Sequence, residues 1–492
     1  MAKAFDELKK FLDEKRDLHY LLSILNYDIQ TSTPEKSIGR ESELLSKYAS
    51  ELAAMEKNPE YIRLVKRSYE EEKDNPRREK LLRVALENIE FMEKVDLETY
   101  ERWNQAFQKS NEMWRIAKKN DDAAIYLPYW KKAVEASREI AELRRKPGQK
   151  TRYDSLLSQY EPGETEELVD SVFNPLRDYL IEKFPFVMKK QEKALFPEIK
   201  AYDVNHQREL SYDLLKLISY DLDRGCLRES MHPFSDNMSK DDARITTDYS
   251  VEDWRSNLFT IIHEGGHCIE FQNWPEEQYA DYVEGSATAA LCETHSRFYE
   301  NIIGRSKEFA PHLKALCEKD LGEEFKDMPL EGFYNLLNQV RPNLIRCDAD
   351  EFTYSLHIII RYEIEKDLIN GKIEVEDVPA IWNKKYKDYL GLDVPNDREG
   401  FLQDVHWSDG SFGYFPSYAL GNIYGAQILN SIKKDLPYEE ILKNGDMAAI
   451  RKWFAEHDFA YDYLDPVAWI NKVTGEGMNP KYFIDYLEKK FF

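Results

Sequence analysis

The pentapeptide His263-Glu-Gly-Gly-His267 has the residue types and spacing of a metal-binding helix. Residues four apart lie on one face of a helix, so both imidazoles can bind the same ion. Glu264 is offset by one position and lies near enough to take a proton from a water that the ion activates. The pattern predicts a catalytic metal centre. The alternative is that the two histidines are only polar neighbours on a helix.

The two glycines inside this pentapeptide are poor helix formers, at about 1 kcal/mol each. Gly265 and Gly266 therefore indicate that another element approaches this helix closely. The stretch 258–262 before the pentapeptide is largely apolar and predicts a helix that is buried on most sides. A buried helix would give the metal site a rigid base.

A catalytic zinc usually has three protein ligands and one open position. Glu270 and Asn273 stand where the metzincin pattern needs Gly and His, so that class is excluded. A glutamate from a second helix is then expected as the third ligand. The candidates are Glu276, Glu277, Glu284 and Glu293.

Glu293 is the preferred candidate, slightly ahead of Glu284. It lies 26 residues after His267, which leaves room for the chain to turn back and pack antiparallel. Its predicted helix has a face of small alanines, where a carboxylate needs a partner such as a metal ion. The alternative for Glu293 is an exposed glutamate paired with Arg297 one turn later.

The charge balance excludes several classes of partner. The chain has 492 residues, with 68 Lys and Arg against 92 Asp and Glu, and a formal net charge of −24. A nucleic-acid binder would show basic stripes, and an anionic membrane surface would repel this chain. No apolar run approaches the roughly 20 residues that a membrane span needs. We therefore expect neither nucleic acid nor membrane as a partner.

The cysteines favour a reducing compartment. Their number is odd and they form no C-x-x-C pair, so a disulfide framework is not expected. The N-terminal residues show no apolar signal-peptide core, and the expected location is the cytoplasm. The five cysteines are Cys226, Cys268, Cys292, Cys317 and Cys347.

Helical periodicity runs through most of the chain, so we expect a mostly α protein with one large helical domain, 1–492. Within this domain the sequence pattern distinguishes a mainly helical scaffold (1–223), a catalytic part that carries the motifs (224–430) and C-terminal helices (431–492). The predicted helices include 4–30, 36–56, 59–73, 76–118, 122–146, 165–184, 186–194, 206–221, 286–303, 306–322, 330–340, 349–370, 376–390, 419–433, 437–444, 447–456 and 465–474.

The stretch 224–250 differs from its surroundings. Ala243, Ile245 and Thr247 alternate with polar residues, which predicts a short strand or hairpin directly before the metal helix. An exposed strand edge at this place could hold a peptide backbone by strand addition. The alternative is an irregular connecting loop.

Taken together, the motifs resemble those of the carboxypeptidase Taq (M32) family of metallocarboxypeptidases, and the resemblance covers nearly the whole chain. The similar segments are His232-Pro-Phe234 (H-P-F), Asp242-Ala-Arg244-Ile-Thr246 (D-x-R-x-T), His263 to His267 (H-E-x-x-H), Ile345-Arg346-Cys-Asp-Ala-Asp350 (I-R-x-x-A-D), Gly413 to Tyr418 with Gln427, and Tyr27-Asp28 with Thr31 and Pro34.

One motif departs from the family pattern. The family's H-E-S-Q-S-R, which carries the third metal ligand, reads Cys292-Glu-Thr-His295-Ser-Arg here. The resemblance assigns Glu293 as that ligand, beside His263 and His267. Cys292 replaces a histidine and His295 replaces a glutamine, so the surroundings of the ligands are altered. Helical geometry points both away from Glu293, and neither is expected to bind the ion directly.

The resemblance implies a mostly helical fold with a long active-site groove, a homodimer, and zinc as the ion, with cobalt as a substitute. It also implies the release of single residues from peptide C-termini with broad side-chain tolerance. In this interpretation Glu264 is the general base, and Tyr418, or else Tyr414, stabilises the oxyanion. His232 and His406 could also reach the substrate or the oxyanion.

Arg346 is the residue that the resemblance points to for binding the terminal carboxylate, which suits a bidentate guanidinium. Without the resemblance, the simpler interpretation is a surface arginine paired with Asp350. Arg244 is expected to position the substrate backbone or to pair with Asp242. Two other functions stay open, an oligopeptidase or endopeptidase, and a non-catalytic helical scaffold with a vestigial metal site.

Overall fold

The computed structural model describes residues 3–283 and 288–492. Most of these residues are helical, and a small sheet lies just before the predicted metal helix. The α-helices are α1 (Ala4–Thr31), α2 (Ile38–Glu56), α3 (Pro59–Glu71), α4 (Pro76–Glu93), α5 (Leu97–Asn120), α6 (Leu127–Arg144), α7 (Arg152–Tyr160), α8 (Glu166–Gln191), α9 (Val204–Leu217), α10 (Trp254–Phe271), α11 (Glu276–Ala280), α12 (Ala289–Arg297), α13 (Ala310–Asp320), α14 (Glu324–Asp327), α15 (Leu330–Leu337), α16 (Tyr354–Ile369), α17 (Val378–Leu390), α18 (Phe415–Asp435), α19 (Tyr438–Asn444), α20 (Met447–His457), α21 (Pro466–Thr474) and α22 (Lys481–Phe491).

Three helical regions differ from those that the periodicity predicts. The predicted helix 76–118 is two helices, because the Asp96 side chain accepts a hydrogen bond from the Thr99 amide and begins α5. α8 passes through Pro185 without a break, with Phe184 and Val187 buried on either side of it. α7 was not predicted, and its start is a capping box between Thr151 and Asp154.

The sheet consists of β1 (Leu227–Glu229), β2 (Ser235–Ser239) and β3 (Asp242–Thr247) in the order β1-β3-β2. β3 is central, parallel to β1 and antiparallel to β2. Ala243 and Ile245 of β3 are fully buried, as their alternation predicts. β2 is an edge strand, and Ser235 pairs with Ile245 in its register.

α10 lies at the centre of the main apolar core and packs against α9, α12, β3 and the π-helical segment Phe298–Gly304 that continues α12. α12 in turn packs along α18. The N-terminal helices α1, α3 and α4 form a separate apolar cluster that includes Phe5, Leu64 and Leu82. The fold thus holds the predicted metal helix between layers that fix it on several sides.

A cleft of about 990 Å³ lies between this N-terminal cluster and the sheet. Leu12 and Tyr61 line it on the helical side, and Asn237 and Met238 of β2 line it on the other. β2 also packs against α10, the predicted metal helix. Within residues 3–283 and 288–492, every helix is too short or too polar to cross a lipid bilayer.

Candidate active site

The two glycines of α10 let neighbouring helices approach it closely. A Cβ on Gly266 would lie 2.9 Å from the Ser296 Cα of α12, and one on Gly265 would lie 2.4 Å from the Ile218 Cδ1 after α9. Backbone atoms cannot move aside easily, so position 266 requires glycine, whereas a side chain at position 265 would have to displace the end of the Ile218 side chain. The close neighbour that the glycines predicted is therefore confirmed, and it is the helix that carries Glu293.

This approach brings the three predicted metal ligands together. One donor atom each of His263, His267 and Glu293 lies within 4.8 Å of the others. The His263 Nε2 is 3.8 Å from the Glu293 Oε2. The side chains of His263 and Glu293 are 17% and 14% exposed, so they are largely buried but open to a small molecule.

The second nitrogen of each imidazole has its own partner. The His263 Nδ1 lies 3.0 Å from a Glu300 carboxylate oxygen, and the His267 Nδ1 lies 3.1 Å from the Cys292 Sγ. These contacts direct the Nε2 atoms towards Glu293. Two imidazole nitrogens and one carboxylate, each held from behind, fit the ligand set of a catalytic zinc ion with an open position.

Glu300 is a site residue that the sequence reasoning missed. Its carboxylate contacts Arg297 at 3.1 Å and Arg305 at 3.2 Å, besides His263. Burial raises the pKa of Glu300, but the charges of Arg297, His263 and Arg305 outweigh it and hold the pKa well below its usual value. Glu300 lies in the π-helical segment Phe298–Gly304, so α-helical spacing from Glu293 gave no signal for it.

Glu264 is buried on the side of α10 that faces the sheet, where the Ser235 side chain of β2 hydrogen-bonds to its carboxylate. Burial raises the pKa of Glu264 above its usual value. The residue thus lies beside both the possible metal-ligand group and the edge strand.

The other third-ligand candidates lie elsewhere. Glu276 is 75% exposed and pairs with Lys240 at 3.1 Å, and Glu277 is exposed on the same short helix. Glu284 lies outside the described residues. The predicted pair between Glu293 and Arg297 is also present, at 3.6 Å, alongside the metal-ligand group.

Tyr414 and Tyr418 lie at the start of α18 with their ring centroids 5.1 Å apart. The ring of His406 stacks on Tyr414, and its Nε2 lies 3.5 Å from the Tyr418 hydroxyl. Burial, to which the negative charge of Glu293 adds, raises the pKa of both tyrosines. Burial lowers the pKa of His406 to about 4. This aromatic group is therefore uncharged at neutral pH.

Arg346 does not pair with Asp350, and that interpretation is wrong. Its Nε and Nη2 both contact the Asp404 Oδ1 at 3.0 Å, and the pair is buried. Arg361 holds the other Asp404 oxygen at 2.6 Å. Asp350 instead accepts hydrogen bonds from backbone amides near the start of α16, since Arg346 lies in a tight turn rather than in a helix.

The remaining candidates are at the sheet. Arg244 pairs with Asp242 at 2.7 Å, as one of its two interpretations predicted, and its guanidinium lies 5.2 Å from the Tyr27 ring centroid. His232 is exposed on the loop between β1 and β2, and its carbonyl accepts a hydrogen bond from Ser230. His232 therefore lies on the exposed surface beside the sheet and not among the proposed metal ligands.

Comparison with known proteins gives one consistent family. Residues 7–491 match the model of the carboxypeptidase Taq (M32) metallopeptidases. The chain is 35% identical to carboxypeptidase 1 of Bacillus subtilis (strain 168) over 494 residues, which cover 98% of this chain and 97% of that protein.

Solved structures agree. Trypanosoma cruzi metallocarboxypeptidase 1 is 30% identical and superposes with a TM-score of 0.91 over 99% of both chains. The carboxypeptidase of Pyrococcus furiosus is 27% identical, with a TM-score of 0.93 over 100% of this chain and 99% of that one. The helical fold is thus that of the M32 carboxypeptidases. The chain belongs to the carboxypeptidase Taq (M32) family.

Proposed function

We propose that this protein is a metal-dependent carboxypeptidase that removes single residues from the C-termini of peptides, with broad side-chain tolerance and zinc as its ion. The supporting observation is a series of contacts that leads from the buried guanidinium of Arg346 to Glu293, one of the proposed metal ligands. The Arg346 Nη1 is 3.4 Å from the Tyr354 hydroxyl, and the ring centroid of Tyr354 is 4.3 Å from the Arg297 guanidinium. Arg297 contacts Glu293.

A divalent ion held by His263, His267 and Glu293 would supply Lewis acidity to the scissile carbonyl and acidify the attacking water. Glu264 takes the proton of that water at its carboxylate and delivers it to the leaving amine. Burial raises the pKa of Glu264, which favours the protonated form that the second half of this cycle needs. Cobalt is expected to replace zinc, because it accepts the same nitrogen and oxygen donors.

The oxyanion of the tetrahedral intermediate is stabilised by a tyrosine hydroxyl. The raised pKa of Tyr418 and Tyr414 keeps both hydroxyls protonated and able to donate a hydrogen bond. Tyr418 is preferred, since neutral His406 lies next to its hydroxyl and can orient it.

Arg346 binds the terminal carboxylate of the substrate. Asp404 occupies the Nε side of its guanidinium, so the end that carries Nη1 is the one that faces Tyr354. A contact of 3.4 Å to a neutral hydroxyl is weak, and an incoming carboxylate would replace it with a charge-assisted pair. The substrate backbone upstream pairs with the free edge of β2, near Arg244 and His232.

A mid-length peptide with a free or an amidated C-terminus tests this function, with the products followed by mass over time. Zinc-loaded protein should give a ladder of single-residue losses from the free peptide and leave the amidated one intact. Internal cuts in both peptides would indicate an endopeptidase. Glu264→Gln is the matched control, and it should keep the ion and lose hydrolysis. Equal rates of hydrolysis in this variant and in the unchanged protein would indicate a non-catalytic scaffold with a vestigial metal site.

We further propose that the enzyme works as a homodimer in the cytoplasm, on peptides rather than on nucleic acid or at a membrane. The excess of acidic residues argues against nucleic acid and anionic membranes as partners. The odd number of free cysteines supports a reducing compartment such as the cytoplasm. The dimer rests on the family resemblance. Light scattering on the purified protein tests it, and a mass of one chain at micromolar concentration would contradict it.

A further inference from the structure

A second group of possible metal ligands is buried next to the proposed catalytic centre. Glu270 of α10, His295 of α12 and Asp462 each place one donor atom within 4.8 Å of the others. All three side chains are fully buried. Glu270 follows His267 by three residues and His295 follows Glu293 by two, so the same two helices carry both groups.

Both nitrogens of the His295 ring contact a carboxylate. Its Nε2 lies 3.1 Å from the Asp458 Oδ1, which also accepts a hydrogen bond from the Trp469 indole. Its Nδ1 lies 2.7 Å from a Glu270 oxygen. A carboxylate that holds one imidazole nitrogen while the other faces a group of oxygens is the arrangement found behind histidine metal ligands.

The rings of Phe454 and Phe459 pack against His295. Burial lowers the pKa of His295, but the charges of Glu270 and Asp458 outweigh it and raise the pKa well above its usual value, which favours a protonated imidazole between these two carboxylates when no metal ion is bound. Both oxygens of the third carboxylate, Asp462, are buried beside Asp458 without a hydrogen-bond donor among the described residues. Asp462 therefore needs either a proton or a cation as its partner.

We propose that Glu270, His295 and Asp462 bind a second divalent cation, which has a structural rather than a catalytic role. One imidazole nitrogen and two carboxylates select a zinc- or manganese-like ion over calcium, which prefers oxygen alone. Asp458 orients the His295 ring from outside the ligand set. The cation would tie α10 and α12, which carry the catalytic ligands, to the segment before α21.

His295 supplies the imidazole nitrogen of this group, and a glutamine at this position would offer no such nitrogen. The alternative occupant is a proton shared between Asp458 and Asp462, which would neutralise one charge without any metal.

The test is a count of bound zinc after the full-length protein is loaded with Zn²⁺ and dialysed exhaustively. Two ions per chain are expected in the unchanged protein, and one each in His295→Gln, Asp462→Asn and His263→Ala. His295→Gln restores the residue of the family motif. Because the count does not depend on peptide hydrolysis, a failure of the proposed carboxypeptidase activity leaves this result interpretable.

One ion per chain in the unchanged protein, or two ions in His295→Gln, would overturn the proposal. Diffraction data collected at the zinc absorption edge on the unchanged protein give an independent answer if the variants do not fold. Two anomalous peaks, one between Glu270 and Asp462, are expected. A single peak at His263 would leave the shared proton as the explanation of the cluster.

Discussion

The Cys292 thiol lies 3.1 Å from the Nδ1 of His267, so a cysteine orients one of the two imidazoles that we propose as metal ligands. The family motif has histidine at this position. Burial raises the pKa of Cys292 well above its usual value, which keeps the sulfur a neutral thiol in the absence of an ion. A thiol is a weak hydrogen-bonding group, and it holds the imidazole less firmly than a carboxylate does.

Replacing this thiol should weaken metal binding. Cys292→Ala removes the partner of the His267 Nδ1, and loss of such a group typically costs about 10- to 100-fold in metal affinity. The zinc dissociation constant, measured by competition with a chelator, is the readout. Cys347→Ala is the control, because Cys347 is exposed, and it should leave the constant unchanged. An equal constant for both variants would show that the thiol does not orient His267.

The sequence predicted most helices, and it named the three residues that the fold brings together as a possible metal-ligand group, because both depend on local patterns. His263, His267 and Glu293 come from short motifs, and the alternation around Ile245 gave the position of the sheet. The start of α5 at Asp96 was missed, because a single capping residue inside a long stretch of helical periodicity carries little signal. Pro185 was interpreted as a break, but tertiary packing holds α8 continuous across it.

The electrostatic support of the site could not be predicted in the same way. Asp404 lies 58 residues from Arg346 in the chain, and only the fold brings the two together. The local alternative, Asp350, was nearer in sequence but serves as a cap. Glu300 lies in a π-helical segment, whose side-chain spacing differs from the α-helical one that the prediction assumed.

Loss of Arg346 should remove carboxypeptidase activity while the ion stays bound. Arg346→Ala deletes the proposed partner of the substrate carboxylate, and such charge-assisted contacts are worth about 2–5 kcal/mol. A fall of about 30-fold or more in kcat/KM on a free-carboxylate dipeptide is expected. Arg361 still pairs with Asp404 in this variant, so the fold should persist.

Arg346→Lys is the matched variant for that experiment. It keeps the charge and loses the planar fork, so its kcat/KM should lie between those of the alanine variant and the unchanged enzyme. Zinc content should equal that of the unchanged protein in both variants. Unchanged kinetics in Arg346→Ala would remove this residue from carboxylate binding.

The close packing of α10 against α12 predicts that Gly266 does not tolerate a side chain. In Gly266→Ala the new Cβ meets the Ser296 Cα at 2.9 Å and the His295 carbonyl at 3.1 Å, so the helices must separate. Overpacking of this kind costs about 1–3 kcal/mol and would displace Glu293 from the histidines. Both the melting temperature and the zinc affinity should fall.

Gly39 provides the control for this substitution. It is exposed near the start of α2, and a Cβ there meets no atom within 4 Å. Gly39→Ala should therefore raise stability by up to about 1 kcal/mol through helix propensity. If both alanine variants behave alike in thermal unfolding and in zinc titration, the close approach of α10 and α12 does not depend on glycine at position 266.

Two buried glutamates predict that stability decreases as pH rises. Glu161 accepts hydrogen bonds from the Ala290 amide of α12 and the Ser417 hydroxyl of α18, and Glu164 accepts one from the Tyr424 hydroxyl. Burial raises the pKa of Glu161 to about 7 and, with the charge of Glu161 adding, that of Glu164 to about 8.

In the unfolded chain a glutamate loses its proton near pH 4.3, whereas the folded protein keeps these two protons to about pH 7 and 8. Over that window the folded state binds more protons than the unfolded state, so the free energy of unfolding falls with rising pH. Each group costs about 1.4 kcal/mol per pH unit while only the folded protein holds its proton. Below about pH 4 both states are protonated and the effect disappears.

Glu164→Gln keeps the hydrogen bond to Tyr424 with a group that does not ionise. Between pH 5 and 8, urea unfolding should show a flatter decline in stability for this variant than for the unchanged protein. Glu365 has a pKa raised to about 7 by burial, so part of the decline will remain. Glu167→Gln, at a position 75% exposed, is the control and should keep the full slope. Identical slopes for all three proteins would show that Glu164 is ionised in the folded state.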